Sequence, residues 1–153
     1  MQTLRKISLM AVVSILMGSA TSVFAGMMVF TGDAGEKLWI QDAPKLGADV
    51  AIMKIEGVES EWQGKLIRVV KSNSTTGDRY HFDYKHGSKT RQYFPIVEAG
   101  KTLVAGTITR QVELYAPKIR NPMILKYNSE LTKSSVVDLP AEFSKTPYTP
   151  KID

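Results

Sequence analysis

Cysteine is missing from all 153 residues. Its absence removes thiol nucleophiles, thiolate metal sites, iron–sulfur clusters and any disulfide framework. A lipid anchor of the bacterial lipoprotein kind, which needs a cysteine at the cleavage point, is closed as well. Histidine is scarce: His81 and His86 are the only two, so any histidine-dependent reaction must use one of them. No Gly-x-Ser-x-Gly elbow, phosphate loop or cofactor fingerprint occurs. Internal repeats and low-complexity tracts are also missing. Charge is lacking from Ile7 to Gly32, but the dense apolar part, Ile7 to Met17, is short for a membrane span of about 20 residues.

That apolar run belongs to a different pattern. Arg5 and Lys6 precede it, small and hydroxyl residues follow at Gly18 to Ser22, and Val23-Phe24-Ala25 places small residues at the −3 and −1 positions of a cleavage site. A basic start, a short apolar stretch and an Ala-x-Ala-like end make a secretory signal peptide. Residues 1–25 are therefore expected to be removed between Ala25 and Gly26, leaving no stable membrane anchor and a periplasmic or secreted product. The short signal and the lack of cysteine fit a bacterial envelope. An exported chain without disulfides must hold itself by packing and hydrogen bonds, which the length after residue 25 permits.

Charge is uneven along this mature chain. Residues 26–61 carry net −4, residues 62–91 net +5, and residues 92–153 net +2. The basic excess lies between Lys65 and Arg91. Outside the cytoplasm its partners are expected to be anionic glycans or an acidic protein face, and not nucleic acid.

Apolar and alternating runs recur about every ten residues, separated by turn formers. Strands are expected at 27–30, 37–41, 49–55, 65–71, 79–85, 91–97, 102–105 and 107–115, with turns that include Asn73 to Gly77, His86-Gly87-Ser88 and Glu98-Ala99-Gly100. The clearest strand is Arg79 to Lys85: Tyr80, Phe82 and Tyr84 share one face, and Arg79, His81, Asp83 and Lys85 the other. In 107–115 Arg110 falls on the same face as Ile108, Val112 and Leu114, so it must sit near an end or be paired. Asn121-Pro122 could open a short helix through Leu131. Pro140, Pro147 and Pro150 suggest an extended tail, either a loose terminus or an arm lying along a partner or its own domain with Phe143 and Tyr148 to bury. The fold class expected is mainly β: a single antiparallel β-sandwich of Ig-like or jelly-roll type over 26–138, with an extended C-terminal tail over 139–153.

Three kinds of site are conceivable, each beside a plainer explanation. His81, Asp83 and His86 offer imidazole and carboxylate for zinc or copper, but Arg79 and Lys85 flank them and repel a cation, so no metal and no cofactor is expected. A hydrolase using His81 or His86 lacks a recognisable nucleophile motif, so no catalytic residue is assigned. A binding face fits better: Arg79, Lys85 and Arg91 on one hairpin, Lys89 at its tip, His81 between them and Tyr93 nearby could hold a carboxylate, sulfate or sugar. Charged exposed strands also guard sheet edges against aggregation.

The stretch Ala105-Gly106-Thr107-Ile108-Thr109-Arg110-Gln111-Val112-Glu113-Leu114 resembles the closing segment of some cysteine-free fimbrial subunits. In those the chain stops there, whereas 38 residues follow Tyr115 here. The resemblance implies a strand-completed polymer subunit. The expected function is thus an exported, non-catalytic binding or interaction protein using the basic hairpin, with a surface-polymer subunit and a small envelope hydrolase as alternatives.

Overall fold

The computed structural model describes residues 26–104 and 106–152. The expected signal segment, residues 1–25, and the Ala25 side of the expected cleavage point lie outside them. Eight strands follow one another: β1 (Met27–Thr31), β2 (Lys37–Asp42), β3 (Val50–Glu56), β4 (Leu66–Ser74), β5 (Gly77–His86), β6 (Lys89–Val104), β7 (Thr107–Leu114) and β8 (Met123–Tyr127). Each pairs antiparallel with its chain neighbours, and β8 returns to pair with β1. The architecture is a closed up-and-down barrel and not the expected sandwich. Alternating strands with regular turns suit both; what separates them is whether the first strand meets the last. That seam is short, Phe30 opposite Tyr127 and Thr31 opposite Lys126.

β8 is the strand missing from the expected set. Ile124, Tyr127 and Leu131 fall at helical spacing, yet Met123, Leu125 and Tyr127 alternate toward the barrel interior and only Ser129–Ser134 forms a helix, α1. Asn128 caps it, its Oδ1 accepting from Leu131 N at 2.9 Å. α1 also lengthens the seam: Val29 N donates to Thr132 Oγ1 at 2.9 Å, and Asn128 N donates to Val29 O at 2.8 Å.

Two expected strands are one. β6 runs through Glu98-Ala99-Gly100, where the register with β7 shifts and Gly100 takes φ +95°. This is a bulge: the glycine tolerates the left-handed backbone, and the strand bends without ending. A second irregularity lies where Tyr80 faces Ile96 but Phe82 faces Tyr93. Phe94 and Pro95 both oppose His81 there, and the proline, with no N–H for the ladder, is tolerated at that bulge. β6 pairs with β5 only as far as Val97, and β7 pairs with β8 only from Gln111. Between those points, among the described residues, the two strands form a ribbon paired only with each other.

The interior is packed with side chains. Phe30, Leu38, Ile40, Met53, Ile55, Trp62, Ile67, Val69, Tyr80, Phe82, Ile96, Val112, Leu114 and Leu125 form one cluster. An eight-stranded barrel is just wide enough to be filled this way. A second cluster lies on the outer wall, where Met27, Val29, Val50, Ile52 and Leu66 meet Leu139 and, at its margin, Phe143. Leu139 opens helix α2 (Leu139–Lys145), capped by Asp138. The backbone N–H of Leu139 donates to Oε1 of the buried Gln41 at 2.8 Å. Beyond α2, Tyr148 forms a parallel bridge with Ile67. The segment expected as an extended tail is therefore an arm bound to the barrel. Pro140 sits in the first turn of its helix, where a proline's missing N–H costs nothing.

Candidate functional site

The strand β5 sets the site by alternation. Tyr80 and Phe82 point into the barrel, and Arg79, His81, Asp83 and Lys85 point out. Directly opposed residues in an antiparallel pair share a face. Arg91 opposes Tyr84, Tyr93 opposes Phe82 and Lys89 opposes His86. The six residues singled out by sequence therefore divide. Arg79, His81 and Lys85 share the outer wall, whereas Lys89, Arg91 and Tyr93 belong to the inner side of the hairpin. Tyr93 is a packing residue: its ring stacks on Phe82 at 5.5 Å and meets Trp62 edge-on at 5.5 Å. Burial raises its phenol pKa above the ordinary value, with the nearby Tyr84 adding to the effect. Lys85 is tied within the hairpin, its Nζ donating to Thr90 Oγ1 at 2.7 Å.

On the outer wall His81 has neighbours that sequence reading passed over. Val70 lies opposite it on β4, and Arg68, two residues along, projects from the same face. A cleft of about 270 Å³ is lined by Arg68, Val70, His81, Asp83, Phe143 and Tyr148, with Thr149 and Pro150 at its rim. The arm makes one side of the cleft and strands β4 and β5 the other. Arg68 had a sequence signal: it interrupts the apolar run Leu66-Ile67-Arg68-Val69-Val70 at the outward parity of a strand. Phe143 and Tyr148 were legible as aromatics that an arm could bury, but where they land depends on the arm folding back.

Among the described residues, the side chains of Arg68, His81 and Asp83 make no hydrogen bond or ion pair with another residue. His81 Nδ1 is buried without a partner, and its ring lies 5.4 Å from that of Phe94. Tyr148 is pinned through its bridge to Ile67 and has the Lys65 ammonium 5.6 Å from its ring centre. Its phenol pKa is raised, first by burial and then by Glu61. The cleft thus offers a fixed aromatic side, a guanidinium, an imidazole and a carboxylate acceptor. Neither histidine is hydrogen-bonded to a hydroxyl or a carboxylate among the described residues, so the linked nucleophile, base and orienting group of a hydrolase is not assembled there. No group of three or more metal-ligating side chains occurs among the described residues.

The two ends of the barrel carry other features. At the end formed by the loops 57–65 and 115–122, an open cleft of about 730 Å³ lies between Glu59, Glu61, Lys118, Ile119 and Met123. Lys118 has φ +68°, unusual for a residue with a side chain. At the ribbon end a charged network closes the barrel. Lys71 Nζ lies 3.0 Å from Asp78 Oδ2, Arg110 Nε 3.1 Å from Glu98 Oε1, and Asp78 N donates to Glu98 Oε2 at 2.9 Å. Arg110 is paired, as its position on an apolar face requires. The buried Tyr80 hydroxyl has no hydrogen-bond partner among the described residues. Its pKa is driven far above the ordinary phenol value, by burial first and by Asp78 next.

Comparison with protein-family models, with curated proteins and with solved structures found no match. The site must be read from its own chemistry.

Proposed function

We propose that the chain is exported and that its mature form is a non-catalytic binding protein of the cell envelope or the secreted fraction. Its binding surface is the outer-wall cleft, with Arg79 and Lys85 extending the positive surface along β5, and its ligand is an anionic glycan. One observation carries this reading: three polar side chains, Arg68, His81 and Asp83, meet in a cleft walled by Phe143 and Tyr148 and are not spent on each other. A guanidinium suits a carboxylate or sulfate in bidentate contact, an aromatic ring suits the apolar face of a sugar, and Asp83 can accept from a hydroxyl. The filled interior supports an external site over a ligand held within the barrel.

The polymer-subunit alternative draws less support from this fold. A strand-completed subunit has a vacant strand position, and here β1 and β8 pair directly across the seam.

The test is titration calorimetry of the mature protein with a hexuronate oligosaccharide, using a neutral oligosaccharide of equal length as control. Binding of the acidic ligand alone, weakened at least tenfold by Arg68→Ala and reduced by salt, is expected. No binding, or binding unchanged in the combined Arg68→Ala, Arg79→Ala and Lys85→Ala variant, would overturn the glycan reading. Transfer of the same salt-sensitive binding to an acidic envelope protein would make the partner a protein.

A further inference from the structure

The residue that cleavage would place first in the chain sits against a carboxylate. Gly26 precedes β1, with φ +77°. The backbone N–H of Asp42, at the far end of the neighbouring strand, donates to Gly26 O at 3.4 Å. The Asp42 side chain folds over the glycine so closely that a Cβ placed on Gly26 would stand 2.3 Å from Asp42 Oδ2 and 2.6 Å from its Cγ. In a tetrahedral centre the nitrogen is about 2.5 Å from a Cβ position, so the Gly26 nitrogen is within about 5 Å of that oxygen. Gly26 and Asp42 share a cleft of about 340 Å³ with Pro44, Ala48, Asp49 and Lys71. The ionisable groups facing the cleft are Asp42, Asp49 and Lys71, and the buried Tyr80 phenol lies within the field of Asp42. Lys71 is engaged with Asp78, whereas neither aspartate has an ion-pair partner among the described residues.

We propose that Asp42 is the receptor for the α-ammonium group that processing creates at Gly26, and that the resulting ion pair fastens β1 into the barrel. The inference rests on the export reading for the cleavage event. An exporting peptidase hydrolyses the Ala25–Gly26 peptide bond: water supplies the hydroxyl that completes the Ala25 carboxyl group and a hydrogen to the Gly26 nitrogen. The new amine takes up a proton from solvent at neutral pH. Before cleavage that nitrogen is a neutral amide beside Asp42, and after cleavage it is a cation beside Asp42 with Asp49 across the cleft. Glycine suits the position because a side chain would push the carboxylate away. Removal of the leader thus strengthens the first strand of the barrel as well as freeing the chain.

The experiment compares the mature chain beginning at Gly26 with the same chain acetylated on that nitrogen, each with and without Asp42→Asn, by thermal unfolding at pH 7. The free amine is expected to melt about 2–6 °C above the acetylated form. The gap should shrink in 1 M NaCl, close at alkaline pH as the amine loses its proton, and largely vanish in the Asp42→Asn pair. Equal melting of the two wild-type forms, or a gap of the same size in the Asp42→Asn pair, would overturn the proposal. If that variant does not fold, the salt and pH dependence of the wild-type gap decides the matter, a gap insensitive to both being the refuting result. The mass of the exported protein tests the export reading separately: a first residue other than Gly26 would sink the processing step while leaving the measured ion pair intact.

Discussion

At one end of the barrel a tryptophan closes the interior; at the other, four charged side chains do. Trp62, fully buried, reaches in from the loop between β3 and β4 and meets Phe82 at 5.7 Å and Tyr93 at 5.5 Å. Opposite it, Lys71, Asp78, Glu98 and Arg110 pair across β4 to β7, and Arg110 Nη1 also lies 3.2 Å from Met28 Sδ. The aromatic plug gains from area removed from water and from edge-to-face packing, neither of which depends much on salt or pH. The charged plug gains from geometry, and its members are only partly buried, so each pair contributes modestly and salt weakens it. One fold can thus seal two openings with devices of different strength and different sensitivity.

The largest effect should come from the aromatic end. Trp62→Ala is expected to cost about 3–5 kcal/mol, because it leaves a cavity bounded by Phe82 and Tyr93; denaturant unfolding measures it. A loss below about 1 kcal/mol would show that the plug is only a lid. Next comes the charged end. Glu98→Ala removes the partner of Arg110 Nε and the acceptor of Asp78 N, and should cost about 1–3 kcal/mol at low salt. The cost should fall in 1 M NaCl, whereas that of Trp62→Ala should not. Equal salt dependence of the two would erase the distinction between the ends.

The smallest effect tests the sign of a single buried group. The Tyr80 hydroxyl has no partner, so Tyr80→Phe should change stability at pH 7 by no more than about 1 kcal/mol, in the stabilising direction. Its folded pKa lies above the unfolded value of about 10. The neutral phenol is therefore tolerated in full below that pH, and stability is lost as pH rises toward the folded value, because only the unfolded chain can ionise freely. Tyr80→Phe should flatten alkaline unfolding above about pH 10. Unchanged alkaline sensitivity would assign it to other groups.

Much of the fold is legible in the sequence at the level of single strands. Alternation in Arg79–Lys85 gives the two faces of β5, and Arg110 among apolar neighbours signals a residue that is paired or near a strand end. What alternation cannot convey is closure. A sandwich and a barrel share strand lengths and turn spacing, and the deciding strand, β8, carries Ile124, 46% exposed, among apolar residues that mimic a helical stripe. Gly100 suggests a turn because bulges and turns both use left-handed glycine. The site was half legible for a related reason. His81, Arg79 and Lys85 share a face by strand period alone, but placing Arg91 and Tyr93 requires the register across the hairpin. Placing Arg68, Phe143 and Tyr148 requires contacts between strands and an arm distant in sequence.

The seam between β1 and β8 joins residues about 100 positions apart, and loops of that length close at a large entropic cost before any contact rewards them. The seven pairings between chain neighbours can form locally, but the ring shuts only when Tyr127 reaches Phe30. The barrel should therefore be slow to complete for its size. On the export reading proposed above, that delay would suit a chain threaded through a membrane. Its first strand would then stay pliable until β8 had emerged, and the ring would shut before the arm that follows Tyr127 docks on its outer wall.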